Sequence, residues 1–149
     1  MGGKTVSRPE PERMPLSQTF DGGQLAVLRR WVAKYAVEAG LPESRCQDLV
    51  LAVDEVATNA VRHGGGRGQL DLWLAEGHVW FQVSDTGPGF AAALPARAPE
   101  PTVPGGRGLW ITGQVTDELR IATGPTGTTV TAAILLPTPA DETPVPAPR

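Results

Sequence analysis

The sequence predicts an α+β fold, a two-layer α/β sandwich in which one mostly antiparallel sheet carries its helices on one face. Two segments with apolar residues at helical spacing are followed by pairs of consecutive segments in which apolar and polar residues alternate. Strands that are grouped apart from helices favour this architecture. Glycines and prolines cluster between these runs, so they mark turns, loops and tails rather than a disordered chain.

Proline placement divides the chain, whose 149 residues suit one domain. Of the 15 prolines, three lie before residue 16, four between residues 95 and 104, and five after residue 136. We therefore expect flexible tails at 1–15 and 137–149, one folded domain at 16–136, and a long loop at about 90–104.

The first half of the domain is predicted to be mainly helical. Leu16–Phe20 reads as a short edge strand, and Asp21 with Gln24 resembles a capping box at the start of a first helix. Gly40 occupies the position of its C-cap, and a second helix is expected from about Glu43 to His63. The second helix has an apolar stripe at helical spacing, formed by Cys46, Leu49, Val50, Val53, Val56, Ala57 and Ala60.

The second half is predicted to be mainly sheet. Gln69–Ala75 and His78–Ser84 alternate and are joined by Glu76-Gly77, which indicates a hairpin. Their core faces are expected to carry Leu70, Leu72, Leu74, Val79, Phe81 and Val83. The remaining predicted elements are a short helix at Gly108–Val115 and strands at Leu119–Ala122 and Thr128–Leu136.

Bulk properties exclude several classes of protein. The net charge of −3 and the absence of a Lys/Arg run argue against direct nucleic-acid binding. A single cysteine excludes an internal disulfide, and no apolar stretch approaches the roughly 20 residues of a membrane span. The N-terminal residues also lack the apolar run of a signal peptide, so we expect a cytoplasmic protein.

Glu55, Asn59 and His63 form the first group with chemical potential. Their i, i+4, i+8 spacing places them on one ridge of the second helix, beside its apolar stripe. A carboxylate beside an amide can supply a general base and an oxygen ligand for Mg²⁺. The competing interpretation is a solvated helix face, with His63 favoured only by the helix dipole.

Asp85-Thr86-Gly87-Pro88-Gly89 is the second group and directly follows a predicted strand. An aspartate there can accept a hydrogen bond from an exocyclic amine, and the glycines allow close approach of a flat ligand. The alternative is an ordinary capped turn. The dinucleotide-binding fingerprint also matches the residues Gly87-x-Gly89-x-x-Ala92. That fingerprint requires a continuing helix and a parallel βαβ unit, whereas prolines follow here, so we reject it.

Gly105-Gly106-Arg107-Gly108-Leu109 is the third group and precedes the short helix. Glycine-rich turns at a helix N-terminus bind phosphate through their N–H groups, and an arginine adds a guanidinium. A flexible hinge is the alternative. The fourth group, Gly127-Thr128-Thr129, is by itself an ordinary turn into the last strand. The chain has neither a P-loop nor the motif set of eukaryotic-type protein kinases.

Together the four groups resemble the motifs of the GHKL ATPases, which include gyrase B subunits, histidine kinases, mismatch-repair ATPases and a heat-shock chaperone. The run 51–64 is similar to their N box, 85–89 to their G1 box, 106–109 to their G2 box and 127–129 to their last turn. The compact size and the Asp-Glu-x-x-x-Asn-Ala-x-x-His-Gly run further resemble the RsbW/SpoIIAB-like anti-sigma factor kinases.

This resemblance implies the Bergerat fold and a site for ATP and Mg²⁺. It implies that Asp85 binds the adenine amine, that Asn59 holds Mg²⁺ against the phosphates, and that Glu55 is the catalytic base. The loop 90–104 would be the ATP lid. The other implied nucleotide-binding residues are Gly87, Gly89, Gly105, Gly106, Arg107, Gly108, Leu109 and Thr128.

The implied function is that of an anti-sigma factor with serine/threonine kinase activity. Its substrate would be a STAS-domain anti-anti-sigma factor, a sigma factor would be a further candidate partner, and the protein would be a homodimer. Two alternatives stay open: a non-catalytic nucleotide-binding module that sequesters its partner, and a detached sensor-kinase ATPase domain. The second would need a phosphorylatable histidine on a dimerisation helix, and neither His63 nor His78 lies on one.

Overall fold

The computed structural model describes residues 16–89 and 106–137 of the chain. The predicted tail 1–15, the loop 90–104 and Gly105 lie outside these residues, as does all of the predicted C-terminal tail except Pro137. The elements are β1 (Leu16–Asp21), α1 (Leu25–Ala39), α2 (Glu43–His63), β2 (Arg67–Ala75), β3 (His78–Asp85), α3 (Gly106–Val115), β4 (Glu118–Gly124) and β5 (Gly127–Leu135).

The strands form one five-stranded sheet in the order β1-β2-β3-β5-β4, and all neighbours are antiparallel. Helices α1 and α2 pack with the inward side chains of this sheet in one core cluster. The predicted fold class is therefore confirmed. The N-terminal strand is an edge of the sheet, as its sequence predicts, since β1 pairs only with β2 among the described strands.

The core follows the predicted helical and alternating patterns. The stripe of α2 is buried, except that Val50 is only partly buried, and Ala52, which the stripe did not include, is fully buried in its place. The side chains of β2 and β3 that were predicted to face the core all belong to this same cluster. This burial of apolar surface fixes the register of the strands, because a slip by one residue would turn these side chains outward.

Local sequence signals mark the starts and ends of several elements, as predicted. Asp21 and Gln24 form a complete capping box, although it caps a single 3₁₀ turn at Gly22–Gln24 that leads into α1. Gly40 ends α1 with φ at 99°, which glycine adopts without steric cost. Glu76 and Gly77 both have positive φ, the geometry of a two-residue hairpin that matches the strand twist.

The other face of the sheet also carries a buried cluster, which sequence alternation did not predict. Trp73 and Trp80 stack with ring centroids 6.1 Å apart, and both are almost completely buried. The Trp80 indole nitrogen donates to the carbonyl of Ala75, and the Arg120 guanidinium lies 5.1 Å from the Trp80 ring centroid. The sheet is therefore apolar on both faces at the hairpin end.

Strands β2, β3 and β4 are longer than predicted because backbone pairing continues past their apolar residues. The hairpin of β4 and β5 pairs as far as Gly124 with Gly127, and α3 starts at Gly106 rather than Gly108. Strand β5 ends at Leu135, one residue earlier than predicted. Within the described ranges, every helix is too short or too polar to cross a membrane.

Candidate functional site

Helices α2 and α3 run antiparallel, and the N-terminal end of α3 lies on the ridge of α2 that carries Glu55 and Asn59. A side chain at Gly108 would meet this ridge, since a Cβ there would lie 3.0 Å from Glu55 Oε1 and 3.2 Å from Asn59 Nδ2. The absence of a side chain at Gly108 therefore allows α3 to approach. Two groups that the sequence separates by about 50 residues meet at this point.

Asp85 ends β3 and is oriented by two backbone amides. Its Oδ1 accepts hydrogen bonds from Gly87 N at 3.0 Å and from Thr128 N at 3.2 Å. The carboxylate thus joins the second and fourth sequence groups, and its other oxygen, Oδ2, lies beside Gly64. Because the two amides hold Oδ1, the orientation of the carboxylate does not depend on a ligand.

The end of α2 is in direct backbone contact with the turn after β3. A Cβ at Gly87 would lie 2.5 Å from Gly64 Cα and 3.0 Å from the carbonyl oxygen of His63. A Cβ at Gly64 would in turn collide with the Asp85 carboxylate. Both glycines are therefore required for this close approach, which sets the distance between the α2 ridge and Asp85.

The turn between β4 and β5 completes this side of the site. Thr123 Oγ1 and Thr128 Oγ1 are 2.8 Å apart across the hairpin. A Cβ at Gly89 would collide with the Gly124 carbonyl, so the end of the Asp85 turn packs against the hairpin. The buried Thr128 thereby links the carboxylate to the edge of the sheet.

A narrow cleft lies between α2, α3 and the sheet. Its cavity of about 10 Å³ has room for roughly one water molecule. Aliphatic side chains and a few polar groups line it: Val56, Asn59, Ala60, His63, Val83, Asp85, Leu109, Thr128 and Val130. This lining has the chemistry of a small-molecule site, but the cavity is far smaller than such sites usually are.

The Glu55 carboxyl occupies an environment that disfavours its charge. Partial burial raises its pKa above the ordinary value, the neighbouring Asp54 raises it further, and Arg107 and Arg62 act in the opposite direction. The carboxyl therefore binds a proton more readily than an exposed glutamate does. This is a property of groups that take up protons in active sites.

This shift predicts how Glu55 affects stability. Because its pKa is higher in the folded than in the unfolded chain, the carboxylate destabilises the fold above the folded-state pKa. That penalty disappears as pH falls to the unfolded value. We expect Glu55→Gln to raise the melting temperature at pH 8 and the difference to shrink towards pH 4. A Glu38→Gln variant, which removes an exposed carboxylate of α1, controls for general charge removal. A pH-independent difference would contradict the prediction.

The structure brings most of the predicted residues into one site. Gly106 and Arg107 start α3, where Arg107 is exposed, and Leu109 is buried and lines the cleft. Gly105 and the predicted lid at 90–104 lie outside the described residues.

Sequence reasoning assigned no site role to Gly64 or Thr123. Gly64 belongs to the run 51–64 that resembles the N box, but nothing local indicates that it abuts Asp85. Thr123 could have been found from the hairpin register, which places it opposite Thr128.

The donor set bears on how a metal would bind. Among the described residues, no cluster of three or more His, Cys, Asp or Glu side chains is arranged to hold a metal ion. Glu55 and Asn59 do offer adjacent oxygen-bearing groups beside α3. Mg²⁺ keeps several waters and takes few protein ligands when phosphates complete its shell. These residues therefore fit Mg²⁺ bound together with a phosphate ligand rather than alone.

Comparison with known protein families agrees with this geometry. The model of the histidine kinase-like ATPase domain matches residues 19–134, most of the chain. The chain belongs to this family. Three segments of this ATPase domain correspond to the resemblance described above. The α2 ridge lies in the run similar to the N box, the Asp85 turn in the run similar to the G1 box, and the start of α3 in the run similar to the G2 box.

Solved structures show the same fold. The RsbU and RsbW domains of Rv1364c from Mycobacterium tuberculosis are 27% identical, with a TM-score of 0.64 over 83% of this chain and 33% of that one. The histidine kinase domain of the blue-light activated histidine kinase EL346 from Erythrobacter litoralis is 22% identical, with a TM-score of 0.52 over 78% and 67%. This ATPase domain thus spans about a third of the length of that solved chain, which holds both an RsbU and an RsbW domain. A search of curated proteins found no significant match.

Proposed function

We propose that this protein binds ATP with Mg²⁺ and phosphorylates a serine or threonine of a protein partner. One observation carries the proposal: Glu55 and Asn59 lie together against the N-terminal end of α3. A general base and an oxygen ligand for the metal therefore lie beside a helix end that favours phosphate. Membership of the ATPase family and the similarity to a structure with an RsbW domain support the same function.

Nucleotide binding would use both ends of the cleft. The Asp85 carboxylate, held by Gly87 N and Thr128 N, would accept a hydrogen bond from the adenine amine. The adenine ring would contact the aliphatic side chains of Val83 and Val130 in the cleft wall. The phosphates would lie at the start of α3, where the helix dipole and Arg107 favour negative charge.

Phosphoryl transfer needs mainly positioning and charge neutralisation. Mg²⁺, when bound through Asn59, would supply charge neutralisation at the phosphates. Glu55 would take the proton of the attacking hydroxyl. The hydroxyl oxygen would then bond to the γ-phosphorus while the bond between that phosphorus and the leaving ADP oxygen breaks. The raised pKa of Glu55 improves its match to this task near neutral pH.

The partners are part of the proposal. A STAS-domain anti-anti-sigma factor as the phosphate acceptor, a sigma factor as a second partner and a homodimer all follow from the resemblance to RsbW/SpoIIAB-like kinases. The similarity to a solved structure that contains an RsbW domain supports this choice over a sensor kinase. The protein would then control transcription through protein contacts and not by binding nucleic acid.

Two measurements test the proposal. Calorimetry should show that the wild type and Glu55→Gln bind Mg-ATP, and that Asp85→Asn binds at least tenfold more weakly, roughly the loss of one charge-assisted hydrogen bond. Transfer of labelled phosphate to a STAS-domain protein should fall by about 10² to 10⁴ in Glu55→Gln. Glu38→Gln, which removes an exposed carboxylate of α1 away from the cleft, is the control and should retain both.

Each outcome separates one part of the proposal. Wild-type protein that binds no Mg-ATP would refute nucleotide binding. Binding without transfer to any STAS-domain protein, together with co-purification of a sigma factor, would favour the non-catalytic sequestering module. Equal transfer by Glu55→Gln and wild type would refute the assignment of the base.

A further inference from the structure

The C-terminal end of α3 is held by one arginine from the start of α2. Arg45 Nη1 donates to the Val115 carbonyl at 3.0 Å and to Asp48 Oδ2 at 2.6 Å, while Nη2 donates to Asp117 Oδ2 at 2.7 Å. The side chain of Arg45 is only 28% exposed. We call Arg45, Asp48 and Asp117 the α3 clamp.

The clamp is anchored to the sheet through Asp117. Asp117 Oδ2 also accepts from Leu135 N at 2.8 Å, and Asp117 N donates to the Ala133 carbonyl at 2.8 Å. Strand β5 is therefore bonded to the same carboxylate that holds Arg45. Through these contacts the end of α3 is fixed to both the helical layer and the sheet.

The position of Arg45 is unfavourable for its own helix. It lies in the first turn of α2, where the helix dipole disfavours positive charge. At the C-terminal end of α3 the same guanidinium complements negative carbonyl charge. Its placement is thus explained by α3 rather than by α2.

The opposite end of α3 closes the cleft. Leu109 is 4% exposed and forms part of the cavity wall, and Gly108 lies on Glu55 and Asn59. A cavity of about 10 Å³ cannot hold a purine. Among the residues that the structure describes, a displacement at the Gly108 end of the helix or in the wall facing it would therefore be needed to admit a nucleotide.

We propose that Arg45 and Asp117 are positioning residues that fix the C-terminal end of α3 as a pivot. The helix then opens at its Gly108 end to admit the nucleotide and returns to a defined position over Glu55 and Asn59. This inference rests on the proposed nucleotide site, although the clamp itself can be tested without a ligand. Its contacts are made about one helix length from Gly108, so neither residue touches the cleft.

The experiment compares two arginines that each link α2 to a neighbouring helix. Arg45→Gln removes the clamp, whereas Arg29→Gln removes the Arg29–Asp54 ion pair of 2.9 Å, which ties α1 to α2. Hydrogen exchange without ligand should become faster in α3 of Arg45→Gln while α1 stays protected. Calorimetry should show Mg-ADP binding about tenfold weaker, since small displacements of a binding element are costly. Arg29→Gln should change neither value.

Further variants keep the inference falsifiable if Arg45→Gln folds poorly. Asp117→Asn should give the same pattern, and Arg45→Lys should restore it only in part because an ammonium lacks the forked geometry. If hydrogen exchange in α3 stays unchanged, or if Arg45→Gln and Arg29→Gln have equal effects, the proposed role of the clamp in positioning α3 is wrong. A wild type that binds no Mg-ADP while α3 exchange responds would instead refute the proposed function and, with it, the nucleotide role of the pivot.

Discussion

Gly87→Ala is expected to abolish nucleotide binding and to destabilise the domain by about 1–3 kcal/mol, the usual cost of overpacking. The new Cβ would lie 2.5 Å from Gly64 Cα and 2.6 Å from its carbonyl carbon. Both are backbone atoms, so the end of α2 and the Asp85 turn must move apart. That movement also disturbs the amide of Gly87 that orients Asp85.

Gly124→Ala is the matched control, since a Cβ at Gly124 meets no atom within 4 Å. Chemical denaturation gives the stability change, and calorimetry with Mg-ATP gives the binding. A Gly87→Ala protein as stable and as active as Gly124→Ala would show that this backbone contact is not needed.

Gly108→Ala is expected to separate stability from activity. Alanine in a helix gains about 0.5–1 kcal/mol over glycine, but here its Cβ would press on the ends of Glu55 and Asn59. These side chains can swing aside, so the fold survives while the two functional groups lose their position. We expect a melting temperature close to that of the wild type and phosphate transfer reduced by about 10²-fold.

The control for this change lies in the same helix. A Cβ at Gly113 would be 3.5 Å from Leu119 Cδ2, an ordinary contact, so Gly113→Ala should raise stability and leave transfer unchanged. If both alanine variants transfer phosphate at the wild-type rate, the packing of Gly108 on the α2 ridge has no functional role.

These expectations share one physical cause. The segments that form the site approach one another through glycines, so that backbone rather than side chain fills the contact. Gly64 meets Gly87, and Gly108 meets the α2 ridge. Such sites are sensitive to a single added methyl group because close-packed backbone cannot relax.

Much of the fold could be predicted because it follows from short-range signals. The bounds of α2 agree with the prediction, since the apolar stripe ends at Ala60 and the helix ends at His63, before the glycines. The capping box at Asp21 and the C-cap at Gly40 also act over a few residues. Alternation assigned the core face of the hairpin, but not the Trp73–Trp80 pair, since burial on the second face depends on what else covers it.

Residue patterns alone predicted the site as separate groups, and only the resemblance to the GHKL ATPases joined them into one. Sequence spacing places Glu55 and Asn59 on one ridge, because a helix fixes residues four apart on one side. The sequence by itself determined the fold class and the helix and strand order, and it singled out the residues that we propose carry chemistry. Only the tertiary structure decided that Gly108 lies on that ridge, that Thr128 and Gly87 hold Asp85, and that Arg45 fixes the far end of α3. Those contacts join residues distant along the chain, and their distances depend on the packing of α2, α3 and the sheet, which no local pattern encodes.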